Sequence, residues 1–364
     1  MTSSFPNSIS NLKEFISKTD DDGHLQVYSY NYCDNNSCND LKKCRGLIFN
    51  GDNLLFNSLG FTPEYNDSDQ ETLSKEPLEK YTFFPSEEGT LLRVFYNNHK
   101  WYISTHRKLD AFNSRWGSQK SFGEIFTDSL KTLGYESLDQ LTTLLDKNSM
   151  YLFFIRNTLQ NKIVSNPPNK NLVYFVGHIN YSGISLSNKE YLDFPTQQPL
   201  LFENWEQVFE YVRNVNPREE QGVLAFYKDQ QEFSQFKIVN SSYKLMSQVR
   251  GNEPNLSLRY LQVRSHPIYS KMIYELYPEH VNFFIQIENI IIKIAKNIHN
   301  AYVSRFVNKN YTVVSQEEYV IIKECHGWHI LDRKNNKVTL SQVINYLNKE
   351  QYVNILYTLV TRFK

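Results

Sequence analysis

The chain carries no net charge: 39 Lys and Arg are balanced by 39 Asp and Glu. That excludes a chain-wide basic field, so any affinity for a polyanion has to come from a local patch offset elsewhere, and has to be moderate and salt-sensitive. Only four cysteines occur in 364 residues, too few for a disulfide framework. Cys33, Cys38 and Cys44 near His24 would supply four soft ligands in a short span, but the spacing fits no zinc pattern, and the Cys325-His326-Gly327-Trp328-His329 stretch reads as packing and surface residues. No apolar run reaches membrane-span length, and Met1-Thr2-Ser3-Ser4 lacks the hydrophobic core of a signal peptide. The expectation is a cytoplasmic protein with no membrane partner.

What the chain does contain is arranged in two styles. Up to about residue 250, short runs with β-propensity, Leu91 to Phe95, Trp101 to Ser104, Tyr151 to Ile155 and Leu224 to Tyr227, alternate with loops. Two helical segments, Phe122 to Leu133 and Trp205 to Val212, interrupt them. Arg250-Gly251-Asn252-Glu253-Pro254-Asn255 is rich in turn residues and marks the expected domain junction. Beyond it the pattern turns helical. Phe284, Ile287, Ile291, Ile294, Ile298, Ala301 and Tyr302 recur every three or four residues, the spacing of one buried helix face. Thr339 precedes a helix through Val343, Tyr346 and Leu347, and Val353, Leu356, Leu359 and Val360 mark a last one. Such faces close a helical bundle or dock a protein partner.

Five ordered blocks carry the functional signal. They are Cys44-Arg45-Gly46-Leu47-Ile48-Phe49 with Phe61-Thr62-Pro63-Glu64-Tyr65-Asn66; Ser86-Glu87-Glu88-Gly89-Thr90-Leu91-Leu92; Trp101 to Lys108; Tyr151 to Ile155 with Lys162-Ile163-Val164 and Leu172 to Gly177; and Gln221-Gly222-Val223-Leu224 with Phe236-Lys237-Ile238-Val239. In this order they resemble the adenylyltransferase domain of bacteriophage-type RNA ligases, with the third block similar to the strand that ends in Thr-Arg-Gly and the fourth to the Phe-Glu-Leu hairpin and its partner strand. The resemblance implies an α+β fold: an antiparallel-sheet nucleotidyltransferase (ATP-grasp-like RNA ligase) domain over 1–250, followed by an α-helical C-terminal domain over 251–364. The abundant Asn, Ile, Tyr and Phe also suit an AT-rich coding genome, such as that of a large DNA virus or a protist.

Against that family's pattern, four positions depart. Ser86 stands where the resemblance places the nucleophilic lysine, and a serine hydroxyl without a paired base does not replace an activated amine. Phe154 replaces a carboxylate and can hold neither a ribose hydroxyl nor magnesium. Gln221 loses a negative charge, and Val239 removes a second lysine that would offset phosphate charge. No catalytic residue, metal or cofactor is therefore expected. Arg45, Gly89, Arg93, His106, Arg107, Lys108, Gly222 and Lys237, with Arg115 and Lys244 beside them, fall where the resemblance implies a nucleotide and nucleic-acid surface, with Gly89 and Gly222 allowing close backbone approach. The expected function is a catalytically inactive RNA-ligase-like protein that binds RNA, an mRNA or an RNA 5′ end, within an RNA-handling complex. Two alternatives stand beside it: a divergent active ATP-dependent RNA ligase using Lys80, Lys100 or Lys108 instead, and a protein scaffold in an mRNA or translation complex.

Overall fold

A computed structural model describes residues 6–57, 59–158, 162–180, 183–186, 194–228 and 235–363. The chain divides into two compact units, Met1–Leu245 and Met246–Lys364.

The first unit is built on three sheets. β1 (Ile16–Asp21), β2 (Gln26–Tyr30), β3 (Arg45–Asn50) and β4 (Asn53–Phe56) form an antiparallel meander in chain order. The second sheet takes β7 (Thr90–Asn97), β8 (Lys100–Ser104), β9 (Met150–Arg156), β10 (Leu172–Asn180) and β11 (Gly183–Leu186) in the order β11-β10-β9-β7-β8, also antiparallel. The third contains β5 (Glu64–Tyr65), β6 (Tyr81–Ser86), β12 (Gly222–Tyr227) and β13 (Gln235–Val239) in the order β5-β13-β12-β6, with β5 parallel to β13.

Strand alternation decides which side chains meet between the sheets. In β7 and β9 the register pairs Phe95 with Met150, Arg93 with Leu152 and Leu91 with Phe154. These residues share one face. In the third sheet Ser86 and Val239 both pair with Gly222, while Phe84 and Lys237 both pair with Leu224. Phe84, Phe95, Met150, Leu152 and Phe226 pack in one buried cluster with Val27 and Ile48 of the meander, with Leu91 and Leu224 against it. Arg93 and Phe154 therefore project from one sheet, and Ser86 and Lys237 from another, on the sides that share this core.

The outer faces are covered locally. α1 (Asn39–Lys43) packs on the meander through Leu41. α2 (Gln70–Leu73) and α5 (Trp205–Asn214) cover the third sheet, Trp205, Val208, Phe209 and Val212 burying against Phe83, Val223, Ala225 and Ile238. α3 (Phe122–Lys131), opened by a capping box between Ser121 and Glu124, and α4 (Leu138–Thr142) cover the second sheet.

The division between the two units falls at Leu245/Met246, within α6 (Ser241–Arg250). The second unit contains α7 (Leu256–Val263), α8 (Pro267–Leu276), α9 (Val281–Tyr302), α10 (Gln316–Leu331), α11 (Leu340–Leu347) and α12 (Val353–Arg362). α9 buries Phe284, Ile287, Ile291, Ile294, Ile298, Ala301 and Tyr302, the set the periodicity picks out, and Thr339 caps α11 through its hydroxyl. α7, α8 and α10 have no counterpart among the expected helices. Lys162-Ile163-Val164, expected beside a strand, is not extended into one.

Candidate functional site

Ser86 ends β6 and is 1% exposed. Its hydroxyl donates to Gln221 Oε1 at 3.2 Å, and Lys237 Nζ donates to the same oxygen at 2.7 Å. The two altered positions, Ser86 and Gln221, thus form a neutral pair that accepts one buried ammonium. Burial pushes the Lys237 ammonium below its ordinary value, with Arg45 acting in the same direction while Glu64 and Glu88 oppose it. Val239, beside Gly222 in the register, is buried and adds no charge.

Glu88 is the residue the sequence reading passes over. Its carboxylate accepts the backbone N–H groups of Ile163 (3.1 Å), Val164 (2.7 Å) and Ser165 (2.8 Å), and the Tyr243 hydroxyl at 2.8 Å. Three successive amides aimed at one point form an anion nest, and here the chain fills that nest itself. This is why residues 162–165 do not join a strand: their amides turn to Glu88. A carboxylate two residues after Ser86 is the signal that could have exposed the arrangement.

The permissive glycines are also occupied from within. A Cβ on Gly89 would meet Phe154 Cζ at 2.3 Å and Ile155 O at 2.6 Å, so the ring at the altered carboxylate position lies over the glycine. At Gly222, where φ is +140°, a Cβ would meet Ile238 O at 2.2 Å. The close approaches expected of a ligand are made by Phe154 and Ile238. A hollow lined by Glu88, Arg156, Lys162, Ser165, Asn166, Pro167 and Pro168 is too narrow to admit a water. Arg156 there is paired with Glu87.

The cations separate into two groups. Arg93, 1% exposed, donates through Nε to Ser104 Oγ at 3.1 Å and through its two terminal nitrogens to the carbonyls of Gly46 and Thr105. All these acceptors are neutral. Burial, with Arg45 nearby, pulls its pKa down to about 9, which still leaves it charged at neutral pH. Gly46 has φ +71° and a Cβ there would meet His106 O at 2.7 Å, so both its conformation and its surroundings require glycine; the Ser29 hydroxyl bridges the two by accepting from Gly46 N (2.9 Å) and donating to His106 O (3.0 Å). His106 is half-buried. Burial and the charges of Arg45, Arg93 and Arg107 hold its pKa down at about 3, so it is neutral across the physiological range. Arg45 is half-buried and Arg107 exposed. Arg45, Arg93, His106, Arg107 and Lys237 therefore make one electropositive region.

Five other expected cations lie outside this region. Lys108 Nζ pairs with Asp20 at 3.2 Å, Arg115 is exposed near Glu124, Lys244 lies half-buried on α6, and Lys80 pairs with Glu76 at 3.3 Å. Lys100 pairs with Asp22 at 3.2 Å. The hydrogen bond from Glu76 raises the Lys80 pKa, and contact with Tyr102 and then Asp22 raises that of Lys100.

No protein-family profile matches the chain. In sequence it is similar to the "Immediate-early protein ICP-46 homolog" of Invertebrate iridescent virus 6, 29% identical over 308 residues, covering 78% of this chain and 67% of that protein. The homolog of Invertebrate iridescent virus 3 is 28% identical over 302 residues, covering 80% of this chain and 66% of that protein. The chain thus spans about two thirds of the length of these curated relatives. Among solved structures it is similar to a putative ATP-dependent DNA ligase from Aquifex aeolicus, with 13% identity, coverage of 88% and 86%, and a TM-score of 0.44. An archaeal ATP-dependent RNA ligase gives 9% identity, coverage of 76% and 74%, and 0.39. These structural likenesses are too remote to carry a role to any residue here.

Proposed function

We propose that the chain is a ligase-like protein that has lost nucleotidyl transfer and binds RNA over the Arg45, His106 and Arg107 surface of its first unit, with the buried Arg93 and Lys237 adding positive charge behind it, acting within an RNA-handling assembly. The observation that carries this reading is a cluster of positive charge that Glu64 and Glu88, near Lys237, offset only in part. A buried guanidinium whose acceptors are all neutral is costly to maintain, and Arg45 and Arg107, whose charges add to burial in holding His106 neutral, leave the region with more positive than negative charge. Phosphodiester oxygens supply that charge without a metal. Gln221 and Phe154 favour the same ligand, because removing a carboxylate from beside an anion site strengthens anion binding by roughly 1 kcal/mol at the dielectric of a protein surface.

A buried amine favours the active-ligase alternative at one residue. Lys80 and Lys100 have partners that raise their pKa, the opposite of what a lysine nucleophile needs. Lys237, beside Ser86, is instead lowered by burial. Attack by its neutral amine on the α-phosphorus of ATP would expel pyrophosphate and leave a lysyl-nucleotide. Incubation with labelled ATP or GTP and magnesium, followed by a denaturing gel, decides between the readings: no labelled band is expected, and a band lost in Lys237→Met would establish the alternative.

The RNA reading is tested by fluorescence anisotropy with single-stranded RNA, in EDTA and in magnesium. Comparable affinity in both is expected, falling with salt. Arg45→Ala with Arg107→Ala should weaken binding and lower the salt slope by about two, one per phosphate contact removed. Binding that needs magnesium, or a double variant that binds like the parent, removes the basis of the reading.

A further inference from the structure

In the second unit, α9 ends in a π-helical turn, Val303–Val307, and the chain then folds back over it before α10. This loop is tied down. Asn310 N donates to Ser304 O at 2.9 Å and the Thr312 hydroxyl donates to Ser304 Oγ at 2.8 Å. Phe306 turns inward and stacks on His326 with ring centroids 3.7 Å apart. Arg305, one position before, is half-buried, and its Nη1 donates to the Thr312 carbonyl at 3.4 Å. Its guanidinium carbon lies 5.5 Å from the Tyr311 ring centroid and 5.0 Å from that of Tyr319.

What this turn displays is out of place on a protein surface. Tyr311 is 82% exposed, with Val313 and Val307 also exposed around it. π-helical turns persist at a cost in helix geometry and concentrate at functional sites. We propose that Arg305, Tyr311 and Tyr319 form a stacking site for single-stranded nucleic acid, separate from the cation region of the first unit. Aromatic faces interleaved with cations are the combination that holds unpaired bases and the phosphates between them, whatever the sequence.

Charge selects this occupant over a protein segment. From Val303 to Ser315 the chain contains Arg305 and Lys309 and no acidic residue. The next two acids are already engaged: Glu317 accepts both terminal nitrogens of Arg362 at 2.6 Å, and Glu318 closes the capping box with Ser315. The surface is therefore locally positive although the chain is neutral overall. Base faces, which a duplex hides, are what Tyr311 would engage, so the ligand is single-stranded.

The test uses the full chain and two fluorescent oligomers of equal length, oligouridylate and an abasic sugar-phosphate strand. Tyr311→Ala should weaken oligouridylate binding by roughly tenfold, the scale of one lost base stack, and leave the abasic strand unaffected. Tyr311→Trp should restore binding. Because Tyr311 is so exposed, neither change should disturb the fold. The loss should persist in the Arg45→Ala, Arg107→Ala background, whose own defect covers both oligomers, so the two sites fail separately. The proposal is overturned if oligouridylate does not bind, if Tyr311→Ala binds it like the parent, or if the abasic strand is weakened equally. Unchanged RNA binding with loss of a Glu-rich peptide would instead make the surface a protein-docking face.

Discussion

At Ser86 a single hydroxyl accounts for much of the site's character. It shares the Gln221 oxygen with the Lys237 ammonium, and that arrangement has room for one buried cation. Ser86→Lys would place a second ammonium there with no carboxylate to receive it. An unpaired buried charge costs about 3–5 kcal/mol, so urea denaturation should show that loss. Adding Gln221→Glu should recover part of it, as a coupling in a double-mutant cycle. No recovery would mean the two side chains are not in contact.

His106 provides a pH test of the same region. Its folded-state pKa of about 3 lies below the ordinary histidine value of 6.5, so between those values the unfolded chain binds a proton that the folded chain does not. The resulting stability is complete above pH 6.5 and is lost as pH falls toward 3, at up to about 1.4 kcal/mol per pH unit for one proton. His106→Gln should flatten that part of the stability–pH curve. An unchanged slope would show that the imidazole is not held neutral.

The residue types around both positions were legible in the sequence; their partners were not. That Ser86 lacks an amine can be read from its neighbours. That Glu88 fills an amide nest at 163–165, or that Lys108 turns to Asp20, depends on contacts between residues 75 to 77 and 88 positions apart, which no local pattern encodes.

Among the elements, periodicity revealed what had a clean apolar stripe. α9, α11 and α12 bury regular stripes and were legible. α10 buries only Ile321, Ile322 and Cys325 over its 16 residues, so its pattern is faint, and α8 starts at Pro267, which reads as a break although proline suits the first turn of a helix. Strands β7, β8, β9 and β12 were visible because each carries a dense apolar or aromatic run. The loop between β6 and β7 is fixed by the Phe154 ring lying over Gly89, and this can be tested. Gly89→Ala should destabilise the fold by about 1–3 kcal/mol, as overpacking does. Phe154→Ala should relieve that only in part, because Ile155 O still lies 2.6 Å from the added carbon. Full rescue would show that the ring alone sets the constraint.

For the whole molecule, the division into two units leads to a prediction about autonomy. The first unit holds its sheets, their core and the cation region, so a fragment of residues 1–250, which keeps α6 whole, should be soluble and unfold cooperatively. An insoluble fragment would place the helical region in the same folding unit. RNA binding by this fragment should retain the dependence on Arg45 and Arg107 and no longer distinguish oligouridylate from the abasic strand, because the Tyr311 site is absent from it.

The account rests most on phosphate occupying the region around His106, and the imidazole itself reports on that. Its ring resonances, assigned by comparison with His106→Gln, can be followed by NMR from neutral pH downward, with and without saturating single-stranded RNA in EDTA. A phosphate within a few ångströms should raise the His106 pKa by roughly one unit or more, as an opposite charge at that distance does, so RNA should move its titration to higher pH. Saturation with RNA while His106 titrates as in the free protein would contradict the account and place the RNA elsewhere on the chain.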